Sequence, residues 1–300
     1  MMEKVIYRGD PNPLTGGGTL KIGFLVGGQL GNLKETVKWA CKNGFEALEV
    51  YSGPGSPLID LDKILKNGVA DVKDALKEAD GRVIISCLTW CPNNMDPDLK
   101  VRRRNNEHVK KMIEAAVKLD VPVISTWIGR VPGTVEDNMK VYGEVWPPIV
   151  EYAEKYDVKI AIENCMGNIA YSPDIWERMF EIIPSRNLGL NFDPSHLVFQ
   201  FIDYLQAVRC FGDKIYHVHC KDTEILRWRL SWTGYTGRGW WRFRIPGLGE
   251  IDWGRFITEL QDQGYNYVLS IEHEDPLYPG VEGFKNGLII GRRHLAQFLP

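Results

Sequence analysis

The sequence predicts an α/β protein built as one (β/α)₈ barrel, and three observations carry that prediction. Eight short runs rich in β-branched and aromatic residues recur along the chain, separated by longer stretches whose apolar residues return every three to four positions. No shift in composition interrupts the alternation, so no domain boundary is indicated. Eight successive βα units are what a closed barrel needs, whereas a doubly wound sheet usually needs fewer strands. At 300 residues, 44% of them hydrophobic and 25% charged, the chain is long enough for one large core.

Residues 1–20, rich in Gly and Pro, read as an N-terminal arm, and residues 21–300 as the barrel. The strands are expected at "KIGFLV" (21–26), "ALEVYS" (47–52), "RVIISCLTW" (82–90), "VPVISTWI" (121–128), "KIAIEN" (159–164), "LGLNFDP" (188–194), "IYHVHC" (215–220) and "YVLSIEHE" (267–274). An amphipathic stretch near 33–43 follows the first strand, and Val109, Met112, Ile113, Ala116 and Val117 line one face of a later helix. Asn43-Gly44 and Gln263-Gly264 end helices just before strands two and eight, where glycine can take the left-handed C′ conformation. Trp146-Pro147-Pro148 should kink or split the helix over 135–156, because proline removes a hydrogen bond and clashes with the preceding turn. The segment 223–249 is far longer than a βα loop requires and reads as an insertion.

A net charge of −3 and a pI near 6.1 give no electrostatic footprint for nucleic acid, and Arg102-Arg103-Arg104 reads as a short solvated helix face. No apolar stretch has signal-peptide or membrane-spanning length, so a soluble cytoplasmic protein without a membrane partner is expected. Six cysteines (Cys41, Cys87, Cys91, Cys165, Cys210 and Cys220), without a C-x-x-C pair, fit reduced thiols.

In a barrel of this kind the catalytic groups sit at the C-terminal ends of the strands. Strand five ends in Glu163-Asn164, strand six in Asp193-Pro194-Ser195-His196, strand seven in His217-Val218-His219 and strand eight in Glu272-His273-Glu274-Asp275. Any one acid here can be read as a cap of the following helix; four adjacent strand ends in series argue for a shared site. Carboxylates pressed together without a cation would repel one another and take up protons, so the arrangement calls for one divalent metal ion. Oxygen ligands with one imidazole suit Mn²⁺ first, then Co²⁺ or Mg²⁺, and admit Zn²⁺.

The set "IAIEN", "NFDPSH", "HVHCKD" and "SIEHED", in this order on strands five to eight, resembles the xylose-isomerase-like TIM-barrel superfamily of sugar isomerases and epimerases. That superfamily includes ketose 3-epimerases, inosose dehydratases and, more distantly, endonuclease IV-type enzymes. The resemblance implies Glu163, Asp193, His219 and Glu272 as metal ligands, with Glu163 and Glu272 also serving as acid and base. It implies His196 as a contact to substrate or to a second metal. Lys221, two residues after His219, is expected to face the mouth and bind a substrate oxygen, whereas His217, one pleat deeper, reads as a packed or supporting histidine. The reaction implied is α-proton abstraction from a small sugar or keto-sugar through a metal-stabilised enediolate, giving epimerisation or isomerisation. Loss of a β-substituent by the same deprotonation would make the protein a lyase acting on a 3-keto-glycoside or inosose. Endonuclease activity ranks low because strands one and two lack further histidines, and a non-catalytic sugar-binding barrel would not need both glutamates.

The chain departs from the ketose 3-epimerase pattern at Ile169 and Ile225, where the family has an acidic residue and an arginine. Arg244, just before the "PGLG" turn, is a candidate replacement for that arginine, with a surface role as the alternative. The insertion carries Trp228, Trp232, Trp240 and Trp241 interleaved with arginines, which suits either a sugar-facing wall or an interface in a homo-oligomer, and also a hairpin on the barrel top. Trp90 and Trp127 end strands three and four and are expected to form walls of the mouth, with core packing as the alternative. His108 and His294 read as surface residues on helices.

Overall fold

The computed structural model describes residues 19–299. The expected N-terminal arm therefore lies outside the described residues, apart from Thr19 and Leu20. Eight parallel strands close into a barrel: β1 (Lys21–Val26), β2 (Ala47–Tyr51), β3 (Ile84–Thr89), β4 (Val123–Thr126), β5 (Lys159–Glu163), β6 (Leu188–Phe192), β7 (Ile215–Cys220) and β10 (Val268–Ile271). Around the barrel they run β1, β10, β7, β6, β5, β4, β3, β2. The eighth barrel strand is thus the tenth along the chain. The two extra strands, β8 (Asp222–Ile225) and β9 (Trp241–Arg244), pair antiparallel with Asp222 opposite Arg244 and Ile225 opposite Trp241. The insertion is therefore a hairpin, carrying a short helix, Arg227–Thr233, between its strands.

Every residue of β5, β6 and β7 is buried, as strands packed on both faces must be. Inside the barrel, aromatic rings take space conceded by small residues: a Cβ on Gly189 of β6 would stand 2.5 Å from Cε2 of Tyr216 on β7. Outside, helices cover the strands. The long helix Leu99–Leu119 buries Val109, Met112, Ile113 and Ala116, as its periodicity predicts. Trp146 separates two helices, Val135–Val145 and Pro147–Tyr156, with proline at the first turn of the second, where its missing N–H has no helical partner to lose. Gly44 (φ 76°) and Gly264 (φ 84°) take the left-handed conformation before β2 and β10, and Asp120 and Asp157 do so where the chain has no glycine. No helix among the described residues is long and apolar enough to cross a membrane.

Asp222 fastens the insertion to the barrel. Its Oδ1 accepts from the backbone N–H of Thr223 (2.8 Å) and Ile251 (3.1 Å), and its Oδ2 from the N–H of Gly247 and the indole Nε1–H of Trp253, both 2.9 Å. A buried carboxylate with four donors is well compensated; four donors without it are not. Asp222→Ala is expected to lower the free energy of unfolding by roughly 3 kcal/mol in urea titration. It should also open residues 223–249 to limited proteolysis, and an unchanged midpoint with an unchanged digestion pattern would disprove the fastening role.

Candidate functional site

The ends of β5, β6, β7 and β10 deliver four side chains to one point. Glu163 is the last residue of β5, Asp193 follows β6, His219 stands near the end of β7 and Glu272 follows β10. One ligand atom from each lies within 4.8 Å of the others. His219 Nδ1 is 3.1 Å from Glu272 Oε2, 3.4 Å from Glu163 Oε1 and 4.0 Å from Asp193 Oδ2. Because β10, β7, β6 and β5 are consecutive around the barrel, the two glutamates bracket Asp193 and His219 from either side.

Local bonds aim these groups. Asn164 and Asp193 clasp across β5 and β6, the Asn164 amide donating to the Asp193 carbonyl (2.8 Å) and the Asp193 N–H donating to Asn164 Oδ1 (2.7 Å). Ser195 N–H donates to Asp193 Oδ1 (2.8 Å), which leaves Oδ2 turned into the site. Trp127 Nε1–H donates to Glu163 Oε2 (2.6 Å), and Cys91 Sγ lies 3.8 Å from the same oxygen. The buried His219 Nδ1 makes no hydrogen bond, and Asp193 Oδ2 has only the ammonium of Lys221 near it. One carboxylate oxygen from each of three acids and one imidazole nitrogen, all within 4.8 Å of one another, fit a divalent cation held by Glu163, Asp193, His219 and Glu272.

Lys221 supplies one positive charge to this cluster. Its ammonium is 2.6 Å from Glu272 Oε2, 2.9 Å from Glu274 Oε2 and 3.1 Å from Asp193 Oδ2, lies 4.5 Å from the ring centre of Phe243, and is 1% exposed. Without an ion, this ammonium and the charged His219 ring offset the acids Glu163, Asp193 and Glu272; a dication would take their place. Burial raises the Glu272 pKa, but Lys221 and His219 outweigh it and hold the group down at about 2. Burial likewise works against the charged form of His219, and Glu49 and Glu272 overcome it, raising its pKa well above the usual value. His196, on the short helix Ser195–Val198, faces Asp193 Oδ2 (3.5 Å) and Glu163 Oε1 (3.7 Å).

The remaining residues singled out in the sequence separate into two groups. Trp127 joins the cluster through Glu163. Trp90 instead packs edge-on against His108 (4.4 Å between ring centres). His108 is not the surface residue expected: its Nε2 is 2.8 Å from the carbonyl oxygen of Ser52, and the ring is half-buried between that carbonyl and Trp90. His294 is also partly buried, against Phe298. Arg244 is committed to Asp275 (2.8 Å) and Glu224 (2.5 Å), both on the hairpin side of the mouth. Ile169 and Ile225 are both buried, and Ile225 packs with Phe199 and Trp240.

The four tryptophans of the insertion also divide. Trp228 and Trp232 are 68% and 86% exposed, whereas Trp240 and Trp241 turn inward. With Met166, Phe199, Phe201 and Tyr235 the inner pair lines a cavity of about 530 Å³. Phe199 links this wall to the site: its ring stacks on Trp241 at 3.9 Å, and its centre is 6.1 Å from that of His196.

Sequence reasoning passed over Glu49, Cys91 and Asn191, which face the site or lie beneath it. Glu49 left a trace as the single acid within "ALEVY", and strand alternation places it on the interior face with Ala47 and Tyr51. Cys91 and Asn191 carry no sequence signal that separates them from packing residues. Lys221→Met is expected to cost the metal-free protein roughly 3 kcal/mol, because the acidic cluster loses its paired cation. The same change should tighten Mn²⁺ binding several-fold, read by titration against a fluorescent chelator; weaker Mn²⁺ binding would show that Lys221 does not compete with the ion.

A family model described as xylose isomerase-like TIM barrel matches residues 37–293. YfiH, an uncharacterized protein of Bacillus subtilis (strain 168), is 27% identical over 285 residues, covering 82% of this chain and 90% of that one. An inosose dehydratase of Clostridium perfringens (strain ATCC 13124) is 26% identical over 148 residues, and the chain spans only 49% of its length and matches with 47% of its own. Among solved structures, that of the IOLI protein with a zinc atom superposes with a TM-score of 0.73 at 19% identity, over 93% of this chain and 99% of that one. Inosose isomerases and epimerases are also among the relatives and structural neighbours. Taken with the closed barrel and its carboxylate-bearing strand ends, these matches establish that the chain belongs to the xylose isomerase-like TIM-barrel family.

Proposed function

We propose that the protein is a divalent-metal-dependent isomerase or epimerase of a small sugar or keto-sugar. The convergence of Glu163, Asp193, His219 Nδ1 and Glu272 carries this reading, with His219 Nδ1 buried and making no hydrogen bond. Mn²⁺ is the proposed ion, given three oxygen donors and one imidazole. When bound, the ion supplies Lewis-acid stabilisation of negative charge on a carbonyl oxygen and its neighbouring hydroxyl.

The chain's own residues then divide the work. Glu163 and Glu272 stand on strands either side of Asp193 and His219, so one can take the α-proton while the other delivers one to the opposite face. Removal and delivery on opposite faces inverts a centre; return to the adjacent carbon by the same group moves the carbonyl. The Trp127 indole holds one Glu163 oxygen and leaves the other directed into the site. Lys221 and His196, facing the same carboxylates, are placed to bind substrate oxygens once a cation takes over the acidic cluster. Near-complete burial of these groups keeps water from competing for the proton.

Elimination is the second reading, and the aromatic cavity favours it. A space of about 530 Å³ lined by Phe199, whose ring centre is 6.1 Å from that of His196, can accept a leaving group larger than the reacting sugar. The deprotonation and the residues that perform it would be the same.

Chelation is expected to remove activity on ketohexoses, 3-keto-sugars or inososes, and Mn²⁺ or Co²⁺ to restore it; full activity after verified metal removal would refute the metal reading. Glu163→Gln and Glu272→Gln should each reduce exchange of solvent deuterium into substrate by at least ~10²-fold. Normal exchange in either variant with metal bound would remove that residue from the acid/base pair. An unsaturated, ultraviolet-absorbing product would select elimination, and an epimer carrying solvent deuterium would select proton return.

A further inference from the structure

Beneath the cluster, the interior of the barrel holds a second group of polar side chains that the proposed chemistry does not use. Glu49 on β2 is fully buried and has no lysine or arginine partner among the described residues. Its Oε2 is 3.0 Å from His219 Nε2, accepts a hydrogen bond from Ser270 Oγ (2.8 Å) and lies 3.7 Å from His217 Nδ1. The His219 imidazole therefore stands between two sets of carboxylates, with Nε2 toward Glu49 and Nδ1 toward Glu163, Asp193 and Glu272. Only one neutral tautomer can serve both sides: a proton on Nε2 satisfies Glu49 and leaves the Nδ1 electron pair for an ion.

Two alternatives can be weighed on distances. Asn191 Nδ2 is also 3.0 Å from His219 Nε2, so it competes with Glu49 for that nitrogen. A hydrogen bond to an ionised carboxylate is roughly twice as strong as one between neutral groups. The amide nitrogen is a donor, here also to Ser125 Oγ (2.9 Å), so of the two neighbours only Glu49 can accept a proton from Nε2. The second alternative is that Glu49, His217 and His219 form a cation site of their own, since their ligand atoms also lie within 4.8 Å. That site would need Nε2 of His219 stripped of its proton, and His217 is already engaged by Ser86 Oγ (3.2 Å) and Asn191 Oδ1 (3.3 Å). Glu49 Oε1 has no hydrogen-bond partner, but both ring nitrogens of His217 are taken and His219 Nε2 faces Glu49 Oε2, so the lower group offers an ion one free oxygen against three carboxylates and an imidazole nitrogen above.

We propose that Glu49 is a positioning residue for the metal centre: it accepts the Nε2 proton of His219 and so turns the Nδ1 electron pair toward Glu163, Asp193 and Glu272. This rests on the metal reading above. A carboxylate behind a ligating histidine orients the ring and strengthens it as a ligand, and losing such a partner costs roughly 10–100-fold in metal affinity. Ser270 holds the carboxylate in place from the other side.

The experiment uses the full chain with Mn²⁺ or Zn²⁺ alone. Chelator competition should show Glu49→Gln binding metal roughly 10–100-fold more weakly at an unchanged stoichiometry of one ion per chain, with Ser270→Ala showing a smaller loss in the same direction. Nitrogen-15 NMR of the zinc-loaded wild type should show the His219 proton on Nε2, and the fraction of that tautomer should fall in Glu49→Gln. Wild-type affinity and an unshifted tautomer in Glu49→Gln would overturn the proposal, as would a second ion that binds the wild type and is lost in the variant. If Glu49→Gln fails to fold, Ser270→Ala and the wild-type tautomer decide the matter. If the wild type binds no divalent ion, the metal reading fails and the proposal with it, while NMR of the metal-free protein still tells whether Glu49 and His219 are paired.

Discussion

Three carboxylates crowded into a nearly dry space at the mouth of the barrel are the constraint on which the rest of this structure depends. Left alone, Glu163, Asp193 and Glu272 would repel each other strongly at low dielectric and would neutralise by taking up protons. The structure prevents this by burying a lysine and a histidine among them, so that the glutamates stay ionised. Lys221, at 1% exposure, is tolerable only because its three ammonium hydrogens face three carboxylates. The site thus keeps its glutamates in the ionised form that the proposed proton abstraction and metal binding require.

That arrangement extends downward through the barrel. The interior layer below is not a plain apolar core: Glu49, His217, Ser86, Asn191 and Ser270 bond to one another within it. Burial pushes the His217 pKa down to about 4, more than Glu49 raises it, so this ring is neutral and contributes hydrogen bonds rather than charge. Each polar group here would be costly without its partner, which makes the layer rigid and ties the orientation of His219 to residues on β2 and β10. The clasp between Asn164 and Asp193 does the same for the upper layer.

The departure at Ile225 acquires a physical meaning from the hairpin. Where relatives of the ketose 3-epimerase type place charged contacts, this chain has buried aliphatic groups, and Ile225 seeds an aromatic cluster with Phe199 and Trp240. Arg244 is spent on Glu224 and Asp275, fixing the hairpin rather than reaching the cluster. The rim beside His196 is therefore aromatic, with the rings of Phe199 and Phe243 facing it.

Much of this was legible in the chain before folding. Alternating βα units specify a barrel because each half-apolar element must cover another. The four polar strand ends are identifiable because strand ends are where a barrel exposes chemistry, the choice of Glu163, Asp193, His219 and Glu272 among them is what the family resemblance implies, and Gly44 and Gly264 stand out because only certain residues tolerate a positive φ. Tertiary structure alone decided the partners. Glu49 and His219 are 170 positions apart, and Glu49 and Ser270 are 221 apart, so no local pattern joins them. Barrel closure brings β2 and β7 to face each other across the interior, and it likewise determines that Lys221 turns into the cluster while Arg244 turns to Asp275. Periodicity reports which face of a strand a residue occupies; what stands opposite depends on how eight strands close, and that is a property of the whole chain.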